Sequence, residues 1–252
     1  MSSLTAPVFE IFSGIQGEGV LMGVRQAFVR LCGCNRRCRF CDTREACEAP
    51  PDACHVEETP GARRFLRRSN PLTAEEALSA IEALEAPRGL HHSVSLTGGE
   101  PLLHPDFIAA LASGLRARGL AVYLETNGTL PDALEGVVET VDYVAMDAKL
   151  ASATGQPTPW DEHEAFLRLA ARVTAQVKVV VCAATTPAEL DRLAALVAAV
   201  AVETPLVLQP VTAMEDVLPP SPLQVLAMQA RLGERLPDVR VIPQVHRLMQ
   251  QR

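Results

Sequence analysis

The sequence has no run of about 18 apolar residues, which excludes a membrane-spanning helix. Its opening, Met1-Ser2-Ser3-Leu4, lacks the basic-then-apolar order of a secretory signal, so the chain is expected to stay in the cytosol. Basic residues are not in excess. The net charge is −7, which argues against a broad nucleic-acid surface. No internal repeat or low-complexity tract interrupts it. Nor is there a second C-x2-C pair, so the two-pair pattern of a structural zinc site is missing.

The 252 residues are 48 % hydrophobic and 21 % charged, enough to bury a core without disulfide staples. Six of the seven cysteines lie between Cys32 and Cys54. In a reducing compartment such clustered thiols read as metal ligands or catalysts before disulfides. Cys182 stands apart in the apolar run Val177–Cys182 and reads as a buried core thiol.

Apolar β-type runs alternate with amphipathic helices. Strands are predicted at Val8–Phe12, Gln26–Cys32, Ser93–Thr97, Ala121–Glu125, Val141–Met146, Gln176–Cys182, Leu206–Gln209 and Val239–Ile242. Helices are predicted at Thr73–Ala86, Pro105–Arg118, His163–Arg172, Pro187–Val202 and Pro222–Arg235. Thr73 and Glu76 form a capping-box pattern at the start of the first. Strands apolar on both faces indicate a parallel sheet covered by helices. The fold class is therefore α/β: a partial (β/α)6-type barrel of parallel strands. One domain is expected over 1–252, with residues 44–70, rich in proline and charge, as a loop or insertion with a short helix. The unusual residues, 34–41, 97–100, 125–127, 147–149 and 209–210, all follow a strand directly and are expected to converge on one rim.

The strongest motif is Cys34-Asn35-Arg36-Arg37-Cys38-Arg39-Phe40-Cys41. Three thiolates spaced C-x3-C-x2-C can hold three corners of an iron–sulfur cube, and the missing fourth leaves one iron open to a small molecule. The alternative is a non-catalytic zinc or Fe–S module, for which Cys47, Cys54 or His55 would have to supply a fourth ligand. With Phe40 before its last cysteine, this motif resembles the signature of the radical S-adenosylmethionine (SAM) superfamily. The resemblance implies a [4Fe–4S] cluster on Cys34, Cys38 and Cys41, SAM on the open iron, and a 5′-deoxyadenosyl radical that abstracts hydrogen. Thr97-Gly98-Gly99-Glu100-Pro101 is similar to the superfamily's GGE motif, which implies SAM contacts from Gly98, Gly99 and Glu100. By the same resemblance Phe40, Glu125, Thr126, Asn127, Lys149 and Gln209 belong to the SAM site. Asp147 and Lys149 are expected either to pair with each other or to touch SAM.

The opening Phe9-Glu10-Ile11-Phe12-Ser13-Gly14-Ile15-Gln16-Gly17-Glu18-Gly19, the Cys41-Asp42-Thr43 continuation and the tail Gln244-Val245-His246-Arg247 closely resemble the 7-carboxy-7-deazaguanine synthases. That resemblance runs from end to end apart from residues 44–70. It implies conversion of 6-carboxy-5,6,7,8-tetrahydropterin to 7-carboxy-7-deazaguanine with loss of ammonia, a step toward queuosine and related 7-deazapurines. It implies substrate contacts from Gln16, Glu18, Arg30, Thr97 and His246, and Mg²⁺ at the Thr43 hydroxyl. It further implies a homodimer and a reducing partner such as flavodoxin or ferredoxin. A carboxylate-bearing pterin suits these side chains: amide and carboxylate for the amide-like edge, arginine for the anion. Arg25 stands near enough in sequence to compete with Arg30. Cys32 is expected to pack in its strand. A glycyl-radical-enzyme activase is the rival within the superfamily.

Overall fold

Apolar, β-branched runs form the strands of this protein, and the periodic segments between them form the helices that cover the sheet. The computed structural model describes residues 4–214 and 216–250. Met1–Ser3, part of the amino-terminal stretch read above, lie outside the described residues.

Among the described residues the strands are β1 (Thr5–Ala6), β2 (Val8–Ile15), β3 (Arg25–Leu31), β4 (Ala53–Glu57), β5 (Phe65–Ser69), β6 (Leu72–Thr73), β7 (Ser93–Gly98), β8 (Val122–Thr126), β9 (Tyr143–Ala148), β10 (Thr174–Val181), β11 (Leu206–Pro210) and β12 (Val239–Val241). The helices are α1 (Ala74–Leu84), α2 (Pro105–Arg116), α3 (Pro131–Glu135), α4 (Ala151–Thr154), α5 (Trp160–Ala170), α6 (Pro187–Ala201), α7 (Pro222–Gly233) and α8 (Val245–Leu248). β1 and β6 form a small antiparallel pair. The other ten strands make one sheet in the order β12-β11-β10-β9-β8-β7-β3-β2-β4-β5.

From β3 to β12 every neighbouring pair is parallel. Helical crossovers join them, led by α1, α2, α3, α5, α6 and α7, which is the expected (β/α)6 pattern. Each strand tends to be buried on both faces, as a sheet layered by helices requires. α1 shows how sequence sets a boundary. The Thr73 side chain accepts the Glu76 N–H, the Glu76 carboxylate accepts the Thr73 N–H, and Ala77, Leu78, Ile81 and Leu84 turn inward. The main core runs beneath these helices, from Leu31 and Leu96 to Phe166 and Leu208. No helix among the described residues is long and apolar enough to cross a membrane.

Two expectations change. The sheet is not wholly parallel, because β2 turns back antiparallel on β3. Residues 44–70 are more than an irregular insertion. They form a 3-10 turn at Arg44–Cys47 and then the antiparallel β4–β5 hairpin, which extends the sheet past β2. Glu57 anchors this hairpin by accepting N–H bonds from Ser13 at 2.8 Å and Arg63 at 2.8 Å.

Candidate active site

The carboxyl ends of the parallel strands open into a cavity of about 820 Å³. Its wall includes Cys34, Cys38 and Cys41 together with Gln16, Glu18, Arg30 and His246. Phe40, Thr43, Thr97, Gly98, Gly99, Glu125, Thr126, Asn127, Lys149 and Gln209 also line it. All but one of the side chains expected from sequence therefore meet in one space, as the switch from strand to loop predicts.

Glu100 is the exception. It is fully buried and caps the 3-10 turn Pro101–Leu103. Its carboxylate accepts bonds from Leu102 N at 3.1 Å, Thr126 Oγ1 at 2.8 Å and Asn127 N at 2.7 Å. It joins the ends of β7 and β8 instead of facing the cavity. Burial raises its pKa to about 7 against those donors.

The two glycines before it have a steric reason. A Cβ on Gly98 would lie 2.1 Å from Leu31 O, and one on Gly99 would lie 2.0 Å from Gly33 O and 3.0 Å from the Cys34 Cβ. Their absence of side chains lets the end of β7 press on the cysteine loop.

Cys47, left open by the sequence, comes to this loop from the 3-10 turn. Its Sγ lies 3.8 Å from Cys41 Sγ, and Gly33 N–H donates to Ala46 O at 2.8 Å. The Cys47 thiol hydrogen-bonds toward Cys34 and Cys41 and holds both near a pKa of 6. Burial pushes Cys38 up instead. Cys54 is buried on β4 and His55 is exposed; neither lines the cavity, so Cys47, Cys54 and His55 do not assemble a second metal site there. Cys32 and Cys182 are buried core thiols, as expected.

Elsewhere on the wall Gln16 donates to Gln26 Oε1 at 2.8 Å and to Glu125 Oε1 at 2.9 Å. Arg30 Nε donates to Glu10 Oε1 at 2.9 Å. Arg25 is not its competitor, because its Nε donates to Ser13 Oγ and it does not line the cavity. Glu18 pairs with Lys178 and accepts from Gln209 at 3.1 Å and Gln244 at 2.8 Å. Burial opposes its charge, but Lys178, Gln244 and His246 outweigh that and hold it at about 2. Glu18, Asp42 and His246 bring ligand-type atoms within 4.8 Å of one another. Lys149 and Asp147 do pair, at 2.8 Å, and the Lys149 ammonium also stands 5.1 Å from the Phe40 ring centre. His163, kept neutral by burial with a pKa of about 4, accepts the Lys149 N–H and bonds Gly128 O.

Asp42, Gln244 and Lys178 were not singled out as site residues from sequence. A lysine inside the valine run of β10 was the available signal for Lys178.

A parallel α/β sheet with three thiols in one loop at the rim of a large cavity defines an iron–sulfur enzyme of the radical SAM class, and residues 29–186 match the Radical SAM superfamily model. The 7-carboxy-7-deazaguanine synthase of Geobacter sulfurreducens is 41 % identical over 252 residues, covering 100 % of both chains. That of Methanothermobacter thermautotrophicus is 35 % identical over 268 residues, covering 99 % of both. QueE from Escherichia coli shares the fold, with a TM-score of 0.62 at 22 % identity over 96 % of this chain and 95 % of that one. The chain belongs to the 7-carboxy-7-deazaguanine synthase family of the radical SAM superfamily. That membership sets aside a non-catalytic metal module and leaves the activase reading without support.

The residues present fit the cofactors this family uses, a [4Fe–4S] cluster and SAM. Three soft thiols of one loop line the cavity, and Cys47, 3.8 Å from Cys41 Sγ, adds one further thiol but no second metal-binding pair. The buried acceptors Asp147 Oδ1 and Gln209 Oε1 have no partner among the described residues and face a cavity of ligand size.

Proposed function

We propose that this chain converts 6-carboxy-5,6,7,8-tetrahydropterin to 7-carboxy-7-deazaguanine, expelling ammonia. The observation that carries it is the one cavity that Gln16, Glu18, Arg30, Thr97 and His246 line together with the three cysteines. Residues 1–252 act as one radical SAM domain, with residues 44–70 as its insertion.

Cys34, Cys38 and Cys41 would hold the cluster, and Phe40, Gly98, Gly99, Glu125, Thr126, Asn127, Lys149 and Gln209 would surround SAM. When bound, these cofactors would supply reversible hydrogen-atom transfer to and from the substrate. Everything else falls to the chain. Glu18 stays ionised and accepts hydrogen bonds from the amino edge of the pterin. Gln16 and Thr97 complete that edge, held by Glu125 at 2.9 Å and 3.4 Å. Arg30 receives the substrate carboxylate as a charge-assisted pair, its Nε fixed by Glu10. His246 closes the far side. The Thr43 hydroxyl offers an oxygen to Mg²⁺, a hard ion that substrate oxygens would share. Glu100 keeps the two halves aligned from behind, which matters because a misplacement of about 1 Å can cost roughly 100-fold in rate.

An acidic one-electron donor such as flavodoxin is the reducing partner of this reading. Arg37, Arg39 and Arg44 are exposed around the cysteine loop. Their guanidinium groups and that of Arg36 donate to backbone carbonyls, and none forms an ion pair among the described residues. Their charge is therefore uncompensated in a chain of net −7. A cytoplasmic homodimer completes the proposal, and sedimentation checks its assembly.

Anaerobic turnover tests the reaction. The reconstituted, reduced protein receives SAM, Mg²⁺ and the pterin, with products read by mass spectrometry. The expected result is 7-carboxy-7-deazaguanine without stoichiometric loss of SAM. Slow release of 5′-deoxyadenosine with no deazaguanine would sink the assigned substrate.

A further inference from the structure

Lys149 and Lys178 are the only two lysines in the chain; every other basic side chain of the Lys/Arg kind is arginine. Both reach the same cavity and meet at one carboxylate. Asp147 Oδ2 lies 2.8 Å from Lys149 Nζ and 3.1 Å from Lys178 Nζ. The sheet itself arranges this, because Lys178 on β10 is in register with Asp147 on β9. Lys178 also pairs with Glu18 Oε2. The result is a partly shielded row of alternating charge, Glu18–Lys178–Asp147–Lys149, running along the cavity wall.

The row joins two halves of the cavity. Glu18 shares its other oxygen with Gln209 and Gln244 and lies beside Asp42 and His246, on the side assigned above to the pterin. Lys149 stands over Phe40 beside the cysteine loop, on the side assigned to SAM. A pair that merely held the fold together would satisfy its own atoms. Here Asp147 Oδ1 is buried and has no partner among the described residues, so the row is incomplete until a ligand arrives. Lysine suits such a shared position better than arginine. Its compact ammonium can divide three donors between two carboxylates, whereas a planar guanidinium favours one fixed carboxylate fork.

We propose that Lys178 couples the two subsites, so that pterin and SAM bind with positive heterotropic cooperativity. This rests on the substrate reading above. When the pterin's amino edge donates to Glu18, part of the carboxylate's charge is satisfied and its hold on Lys178 weakens. Lys178 then turns toward Asp147. Asp147 in turn relaxes its hold on Lys149, whose ammonium becomes available to the carboxylate of SAM. Lys178 acts through its neighbours and is a positioning residue.

Equilibrium dialysis of SAM tests this on reconstituted protein whose cluster is kept oxidised, so that no turnover occurs. Dialysis is run with and without saturating 6-carboxy-5,6,7,8-tetrahydropterin. In the wild type the pterin lowers the SAM dissociation constant at least about fivefold, and SAM lowers that of the pterin by the same factor. In Lys178→Gln both factors fall to within about twofold of one. The double variant Asp147→Asn/Lys178→Gln removes opposite charges together and keeps the balance of the row. It loses the coupling too, and it serves if the single variant does not fold. Coupling that persists in a folded variant would overturn the role of Lys178. Equal SAM affinity with and without bound pterin in the wild type would overturn the proposal. A wild type that binds no pterin at all would instead remove the substrate reading on which it stands.

Discussion

Glu18 governs how the empty cavity responds to acid. Burial raises its pKa and Lys178, with Gln244 and His246, lowers it further, leaving about 2 against an ordinary 4.5. A carboxylate depressed in the folded state contributes stability that is present above its unfolded pKa and is lost as the pH falls toward the folded one. The loss should therefore lie between about pH 5 and pH 2, with a swing on the order of 3 kcal/mol. Denaturant unfolding of the metal-free protein across that window checks it. Glu18→Gln should flatten the acid-side decline, and an unchanged decline would assign it to other groups. Gly99 makes a different demand. The atom its Cβ would strike is the backbone oxygen of Gly33, at 2.0 Å, which cannot rotate away. Gly99→Ala should cost about 1–3 kcal/mol by overpacking. Because the displaced loop carries Cys34, iron bound after reconstitution should fall below roughly half of the wild-type amount, for a strain of that size. Full iron content would show that the loop tolerates the shift.

At the scale of elements, the cysteine loop and the β4–β5 hairpin behave differently. The loop turns its thiols inward and its arginines outward. Replacing Arg37, Arg39 and Arg44 by glutamate should slow cluster reduction by a reduced flavodoxin about tenfold or more at low salt, an effect that fades as ionic strength shortens the screening length. Reduction by dithionite should stay near wild type, which separates lost docking from a damaged cluster. Equal loss with both reductants would discard the docking surface. The hairpin also marks the limit of what the sequence revealed about the fold. The parallel strands were legible because Val177–Val181 and its counterparts are continuous apolar runs, and α1 because Thr73 and Glu76 announce its start. β5 was not legible. Phe65-Leu66-Arg67-Arg68-Ser69 is an edge strand with four exposed residues, and it has neither an apolar run nor an apolar–polar alternation. The site was legible wherever a motif fixed backbone and side chain together, as in the cysteine loop. The inward turn of Glu100 was not legible, because a glycine pair says that the chain comes close to something, but not which way the next side chain turns. Lys178 was hidden by the valines around it, which mark a core strand whatever stands between them.

Over the whole molecule, the cavity is closed by the two ends of the described chain. Val245 N–H donates to Gly17 O at 2.9 Å, and a Cβ on Gly17 would lie 2.3 Å from His246 Nδ1, so the loop after β2 and the start of α8 are packed tightly together. The Gln244 amide reaches Glu18 at 2.8 Å, 226 positions away, and Asp42 at 2.9 Å; Arg247 approaches the same aspartate at 3.4 Å. No local pattern announces contacts over such a separation. They exist because the loop after β2 and the segment after β12 both reach the cavity. The consequence is a division of labour. The cysteine loop meets the carboxyl-terminal segment through Asp42, after its last cysteine, whereas Gly17 and Glu18 on the pterin side are held by it directly. Ending the chain after Pro243 removes Gln244 and His246 together. Hydrogen bonds to charged or buried partners contribute about 1.5–3 kcal/mol each, so pterin affinity should fall by at least roughly tenfold. Iron content and SAM binding measured without pterin should remain within about threefold of wild type, as that half keeps its ligands. The two ligands are titrated separately, because a joint loss would mean that the segment supports the whole rim. An unchanged pterin affinity would remove His246 and Gln244 from the substrate side.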